Sequence, residues 1–174
     1  MRSIDRLEAK NRLLKEQAEG YRGDARVITA LNRERTSCLV VRLEDERSFL
    51  SLIWHDVPES RVLSANQSLV LGDVARRMID RDWIFEKLAN REIGGDYSPD
   101  YFADCARIDR EFQFSKFGWP TLVLPNETER NRAAAGSLYL MDGTHRTLVL
   151  ARKLLLREIE YEPVEGLLLL PRPG

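Results

Sequence analysis

Five consecutive residues, Asp142-Gly143-Thr144-His145-Arg146, have the types and spacing to handle a phosphate group. They stand between an extended apolar run, Ser137 to Met141, and a helical pattern from Thr144 through Lys153 to about Arg157. A strand that turns sharply into a helix builds an anion site. The first amides of the helix have no acceptor within it, and the helix dipole adds partial positive charge there. Gly143 tolerates a positive φ and lets a ligand approach closely. Arg146 can fork onto phosphate oxygens, and His145 can donate a further hydrogen bond. Thr144 offers a hydroxyl as a helix cap or as a phosphate contact. Asp142 is the only acid of the five. It could hold Mg²⁺ directly or through water, or polarise an attacking hydroxyl. Asp-Gly is a common turn and Thr a common cap, so a plain structural turn accounts for Asp142 to Thr144. It does not account for His145 and Arg146. A cation at a helix start opposes the dipole by about 0.3–1 kcal/mol unless an anion sits in front of it.

The elements that must position this turn can be traced outward. Leu148, Ala151 and Leu155 give the following helix a buried face. Ser98-Pro99-Asp100 is a helix start, with a cap, Pro at the first helical position and an acid in the first turn. From that helix Phe102, Cys105 and Phe112 face inward, which makes Cys105 a small core hydrophobe. Gly118-Trp119-Pro120 closes the helical region, and Thr121 to Leu124 is a short strand. Asn126 to Gly136 is polar and reads as a loop. Asp73 to Asn90 reads as one helix with Val74, Met78, Phe85 and Leu88 on one face. Ile159 to Val164 and Leu167 to Leu170 read as short extended segments.

Toward the N-terminus, Ser3 is the expected cap of a helix reaching about Glu19, with Ile4, Leu7, Leu14 and Ala18 on one side. This helix supports either docking on the body or a homodimer contact. Val27 to Leu31 has strand character. Cys38 to Leu43 and Ser48 to Trp54 read as a hairpin around Glu44-Asp45-Glu46-Arg47. His55-Asp56 follows, a solvated loop pair that could also act as an acid–base pair. The expected organisation is α+β, a small mixed sheet with flanking helices. Residues 1-65 would form an N-terminal helix and β-hairpin extension, and residues 66-174 the main domain.

Composition narrows the function classes. The chain has 174 residues, 43% of them hydrophobic, enough for a packed core rather than disorder. Lys and Arg total 27 against 28 Asp and Glu, for a net charge of -1. A dedicated duplex-DNA binder would be basic. A local basic face could still be built from Arg76, Arg77, Arg81, Arg130 and Arg132. The two cysteines, Cys38 and Cys105, form no metal-type pair. The charged N-terminus lacks an apolar leader, and no run is long enough to span a membrane. These features lead to the expectation of a cytoplasmic protein with reduced thiols.

The segment Tyr139-Leu-Met-Asp142-Gly-Thr-His-Arg146 and its helix resembles the signature of the ParB/sulfiredoxin superfamily. Its members share a strand, a small Gly-containing turn, and His-Arg or Arg-Arg opening a helix. The helix near Ser98 to Phe112 and the Pro120 to Leu124 strand resemble the family order, so the likeness spans roughly Tyr97 to Val164. Sulfiredoxins carry their reactive Cys where this chain has Thr144, which argues against that activity. Partition proteins bind CTP through a Glu-Arg-Arg-type motif, and Asp142 and His145 depart from it. The free serine kinases carry Asp-Gly-His-His-Arg; the chain is similar at Asp142, Gly143, His145 and Arg146 and departs at Thr144.

The kinase branch implies a transferase acting on a hydroxyl of an amino acid or related metabolite, with ATP or ADP as donor and Mg²⁺ as cofactor. Gly143, Thr144, His145 and Arg146 would bind the nucleotide phosphates, and Asp142 and His145 would be catalytic, with Asp142 also the metal ligand. The serine kinases use a Glu near the first strand as a base; Asp56, Glu59 and Asp73 stand nearest by position. The alternative is a stand-alone ParB-like nucleotide-binding regulatory module, with DNA association as one variant.

Overall fold

The computed structural model describes residues 1–18, 25–32, 36–54, 63, 68–125 and 137–171. Its elements in chain order are β1 (Arg2–Ile4), α1 (Arg6–Ala18), α2 (Ala25–Asn32), β2 (Thr36–Leu43), α3 (Glu46–Leu50), α4 (Leu71–Asp80), α5 (Phe85–Ala89) and α6 (Pro99–Arg110). A 3₁₀ turn (Phe114–Lys116), β3 (Thr121–Val123), β4 (Tyr139–Asp142), α7 (Thr144–Leu155) and β5 (Val164–Pro171) follow. The fold is α+β, as the sequence predicts.

The five strands form one mixed sheet in the order β1-β2-β5-β3-β4. β2 and β5 run antiparallel from Thr36 opposite Pro171 to Leu43 opposite Val164. β3 runs parallel to β5 and antiparallel to β4. Strands from residues 1-65 and from residues 66-174 therefore contribute to the same sheet.

Side chains alternate across that sheet, as the two-residue repeat of a strand requires. From β2, Cys38 and Val40 enter one core while Val41 and Leu43 enter the other; from β5, Leu167 and Leu169 oppose Val164 and Leu168. The smaller core is covered by α1 and α2 through Ala9, Leu13, Val27 and Leu31. The larger is covered by α4 to α7, with Val74, Met78, Phe85, Phe102, Leu148 and Leu150 among its members. A sheet clothed on both faces explains why β5 is a nearly continuous apolar run. Each fully buried side chain of this kind, such as Leu122 or Leu140, contributes about 1.5–3 kcal/mol.

Several elements differ from the sequence expectation. The first helix starts at Arg6 rather than behind Ser3, because Asp5 caps it: the Leu7 amide donates to Asp5 Oδ1 at 2.7 Å. Its buried face is Ala9 and Leu13, whereas Leu7 and Leu14 are exposed. Val27 to Leu31 lies within α2, where Val27 and Leu31 share a helical face. The second strand of the expected hairpin is replaced by α3, because Asp45 acts as an N-cap and accepts from the Ser48 amide at 2.7 Å. β2 pairs instead with β1 and β5. The long helix expected from Asp73 to Asn90 breaks at Asp82, which adopts a left-handed φ of 51°, a conformation Asp accepts more readily than most residues. Lys87 Nζ then pairs with Asp82 Oδ2 at 2.7 Å. Of the two extended segments expected after α7, Leu167 to Leu170 lies within β5, whereas Ile159 to Pro163 precedes the strand outside regular structure.

His55, Asp56, Glu59, Arg130, Arg132 and the expected loop from Asn126 to Gly136 lie outside the described residues. Among the described residues, no helix is long and apolar enough to cross a membrane.

Candidate functional site

The Asp-Gly turn joins β4 to α7, and Gly143 is the N-cap residue with φ 82° and ψ 18°. That left-handed conformation is open to Gly at little cost. A Cβ on Gly143 would also sit 3.0 Å from Arg146 Nε and 3.2 Å from the Pro120 Cα. Gly143 is thus needed both for its backbone angle and for the packing of Arg146 against the turn. The Gly143 amide donates to Asp142 Oδ1 at 2.7 Å, which orients the half-buried carboxylate. The first intrahelical bond runs from the Thr147 amide to the Gly143 carbonyl at 3.0 Å, and the Thr147 hydroxyl donates to the same oxygen at 3.0 Å.

Arg146 occupies the first turn, as the sequence predicts, but its side chain is only 6% exposed. Its Nη2 donates to the Trp119 carbonyl at 3.1 Å. The adjacent Pro120 carbonyl accepts from the Leu167 amide of β5 at 2.9 Å. Consecutive carbonyls of Trp119-Pro120 are therefore held by α7 on one side and by β5 on the other. Arg146 has a structural task in this turn, one that the sequence pattern does not reveal.

His145 is half-exposed and stacks on Tyr101 of α6, with ring centroids 3.9 Å apart and planes inclined by 25°. Tyr101 meets Trp54 edge-on at 6.0 Å. The Trp54 indole N–H donates to the Thr144 carbonyl at 3.4 Å. An aromatic wall contributed by residues 54 and 101 thus fixes the imidazole and braces the first helical turn. Thr144 itself is 8% exposed and follows the cap rather than forming it.

Thr121 stands opposite Asp142 in the β3–β4 pair. It is fully buried, and its hydroxyl makes no hydrogen bond among the described residues.

Set against known proteins, the chain matches no family model, no curated protein and no solved structure.

The site therefore has to be read from its own geometry. Asp142, Gly143, Thr144, His145 and Arg146 form one continuous turn, and their side chains separate into two layers. Asp142 and His145 are half-exposed, while Arg146 and Thr144 are buried beneath them. Asp73, the one described residue of the three base positions considered, is exposed at the start of α4. Arg77 leaves the expected basic face, because its Nε and Nη2 donate to the carbonyls of Leu63 and Ser68 at 3.0 and 2.6 Å. Burial accordingly lowers its pKa. Among the described residues no group of three or more His, Cys, Asp or Glu side chains is assembled for a metal. Mg²⁺, unlike zinc, is commonly anchored by one or two carboxylates with water and phosphate completing the shell. Asp142 fits that lighter requirement.

Sequence reasoning missed Trp54, Tyr101, Trp119 and Thr121. Tyr101 had one usable signal, an aromatic ring in the first turn of a strongly marked helix. Trp54 and Trp119 act on the motif across long sequence separations and left none.

Proposed function

We propose that this chain is a nucleotide-dependent phosphotransferase acting on a hydroxyl of a small molecule, an amino acid or related metabolite, with ATP or ADP as donor. One observation carries the reading. A left-handed glycine opens a twelve-residue helix, flanked by a carboxylate before it and by an imidazole and a guanidinium after it. The helix dipole and Arg146 together place positive potential where a phosphate would sit. His145, oriented by Tyr101, would donate to a phosphoryl oxygen. Asp142 would hold Mg²⁺, which supplies neutralising charge when bound, or would take the proton of the acceptor hydroxyl.

In the transfer, the acceptor oxygen forms a bond to the terminal phosphorus as the bond to the nucleotide oxygen breaks. The hydroxyl proton passes to the carboxylate, and the shortened nucleotide leaves with its electron pair. Positioning and charge stabilisation would supply most of the acceleration. The same features support the likeness to the ParB/sulfiredoxin superfamily and to its free serine kinase branch.

A second reading is a nucleotide-binding regulatory module. The inward turn of Arg146 favours it, since a buried guanidinium held on the Trp119 carbonyl shapes the turn rather than following charge onto a transferring phosphoryl group.

Phosphorus NMR separates the two. The protein is mixed with Mg²⁺, ATP or ADP, and a pool of hydroxylated amino acids and metabolites. A new phosphomonoester line that vanishes in Asp142→Asn and His145→Ala is the expected result. Nucleotide lines that broaden without turnover would select the binding module. Sharp, unshifted nucleotide lines at high protein concentration would remove the site altogether.

A further inference from the structure

Arg146 donates to a carbonyl whose own residue is held by α1. Its Nη2 meets the Trp119 carbonyl at 3.1 Å, and the indole of the same Trp119 carries the Arg12 guanidinium over its face, 3.5 Å from the ring centroid. α1 clothes the smaller core and α7 the larger. The two arginines therefore come to Trp119 from helices on opposite faces of the sheet.

The backbone around Trp119 is restrained unequally. On the C-terminal side, Pro120 has its φ locked by its ring, and its carbonyl accepts from the Leu167 amide of β5 at 2.9 Å. On the N-terminal side stands Gly118, with a left-handed φ of 68°, and glycine is the residue type that restrains rotation least. The Trp119 side chain is thus the nearest anchor on that side. It belongs to the smaller core with Leu167 and Leu169 and is 3% exposed, although it lines a cleft of about 1040 Å³ together with residues of α1. Arg12 is exposed and lines the same cleft. A guanidinium is flat and packs closely on an aromatic face; here it covers indole that the cleft would otherwise reach. Arg146, for its part, has little room. Its Nε lies where a Cβ on Gly143 would come within 3.0 Å, so a shift of the Trp119 carbonyl is passed to the guanidinium and to the turn beside it.

We propose that Arg12 is a positioning residue of the turn from Asp142 to Arg146: stacked on Trp119, it fixes the carbonyl that holds Arg146. The consequence for ligand binding rests on the phosphate-handling function proposed above. The positioning itself does not, and is read without nucleotide.

The test is solution NMR on the full chain, following the Arg146 Nε–H resonance assigned through bonds from the Arg146 backbone. Arg12→Ala should shift and broaden that resonance and speed its exchange with water. Arg12→Lys, which keeps a cation over the ring, should restore most of the parent signal. Lys15→Ala, on the same helix and the same cleft, should change nothing. Affinity for ADP with Mg²⁺, from titration calorimetry, should fall by about twofold to fivefold in Arg12→Ala, the most that one exposed cation–π stack can transmit, and recover in Arg12→Lys. A mere cover over the indole would move the Trp119 side-chain resonance in Arg12→Ala and leave that of Arg146 in place, which would overturn the proposal. Nucleotide binding that is equally tight in the parent and in Arg12→Ala would overturn it too. A parent that binds no nucleotide would remove the phosphate function instead, and the Arg146 resonance alone would then decide the positioning role. Circular dichroism on each variant checks that the fold is intact.

Discussion

The two ends of α7 both carry cations, and they carry them in opposite electrostatic settings. At the C-terminal end, Lys153 Nζ lies 2.8 Å from Asp109 Oδ1 and 3.2 Å from Glu158 Oε2, and Arg152 approaches Asp109 at 4.0 Å. Cations there agree with the dipole. Burial pulls the Lys153 pKa down, but its pairing with Asp109 and Glu158, through contact and charge together, outweighs that, and the net shift is upward. At the N-terminal end, the Arg146 charge opposes the dipole. The difference separates cations whose partners are carboxylates of the protein from one that is held by backbone. The C-terminal cations meet Asp109 and Glu158 within the fold. Arg146 is held by the Trp119 carbonyl and His145 lies on the Tyr101 ring, and the phosphate of the proposed function would add the counter-charge there.

The largest expected effect comes from breaking the N-terminal end at its hinge. Gly143→Ala forces a side chain into a left-handed backbone and against Arg146 and Pro120. We expect a loss on the order of 1–3 kcal/mol from the backbone alone, read from chemical denaturation, together with loss of nucleotide binding. A variant as stable as the parent would show that the turn relaxes freely.

Breaking the other end should separate stability from function. Asp109→Asn removes the shared partner of Lys153 and Arg152, whose side chains are 14% and 13% exposed. A cost of about 1–2 kcal/mol is expected, with nucleotide affinity unchanged. A fall in affinity equal to that of a motif variant would erase the distinction between the two ends.

Just beyond α7, alkaline titration offers a further contrast. Burial raises the Tyr161 hydroxyl to about 12 from its ordinary value near 10, and that hydroxyl donates to the Leu43 carbonyl at 2.7 Å. The folded state holds the proton more tightly than the unfolded chain. The associated stability is present below pH 10 and is lost as pH rises from about 10 to 12. Lys153, also raised, loses its contribution in the same direction. Tyr161→Phe should cost about 1 kcal/mol at neutral pH and flatten the alkaline slope. An unchanged slope in urea melts between about pH 10 and 12 would assign it elsewhere.

The parts of this fold that were legible in the sequence are those encoded locally. Asp142-Gly143 marks its turn because only a glycine-like residue takes that φ without cost. Ser98-Pro99-Asp100 marks the start of α6 because Pro suits the first helical position. The parts that were not legible depend on contacts distant in sequence. Val27 to Leu31 is a short apolar run that fits strand or helix equally, and packing on the sheet decides for helix. Cys38 to Leu43 reads as one arm of a hairpin with Ser48 to Trp54, yet the partner of Leu43 is Val164 of β5. Asp45 looked like a turn residue and is a cap. Within the site, the order of residues predicted the turn and the helix that follows it. It could not predict that Arg146 folds inward, because the Trp119 carbonyl it binds arrives from another segment.

The smallest effect tests whether the layer beneath the motif is complete. Thr121 is fully buried opposite Asp142, and its hydroxyl has no hydrogen bond among the described residues. A buried, unsatisfied hydroxyl costs stability, and valine has nearly the same shape. Thr121→Val should therefore leave stability unchanged or raise it by up to about 1 kcal/mol. The measurement is the denaturation midpoint, taken with and without ADP and Mg²⁺. An equal gain in both conditions would make the hydroxyl a passive defect under β4. A gain without nucleotide that disappears with it would mean that ligand binding draws Thr121 into use, and would extend the N-terminal end of α7 by one buried layer. A loss in both conditions would show that the hydroxyl already has a partner in the folded chain, and that the two ends of the helix are more alike than their charges suggest.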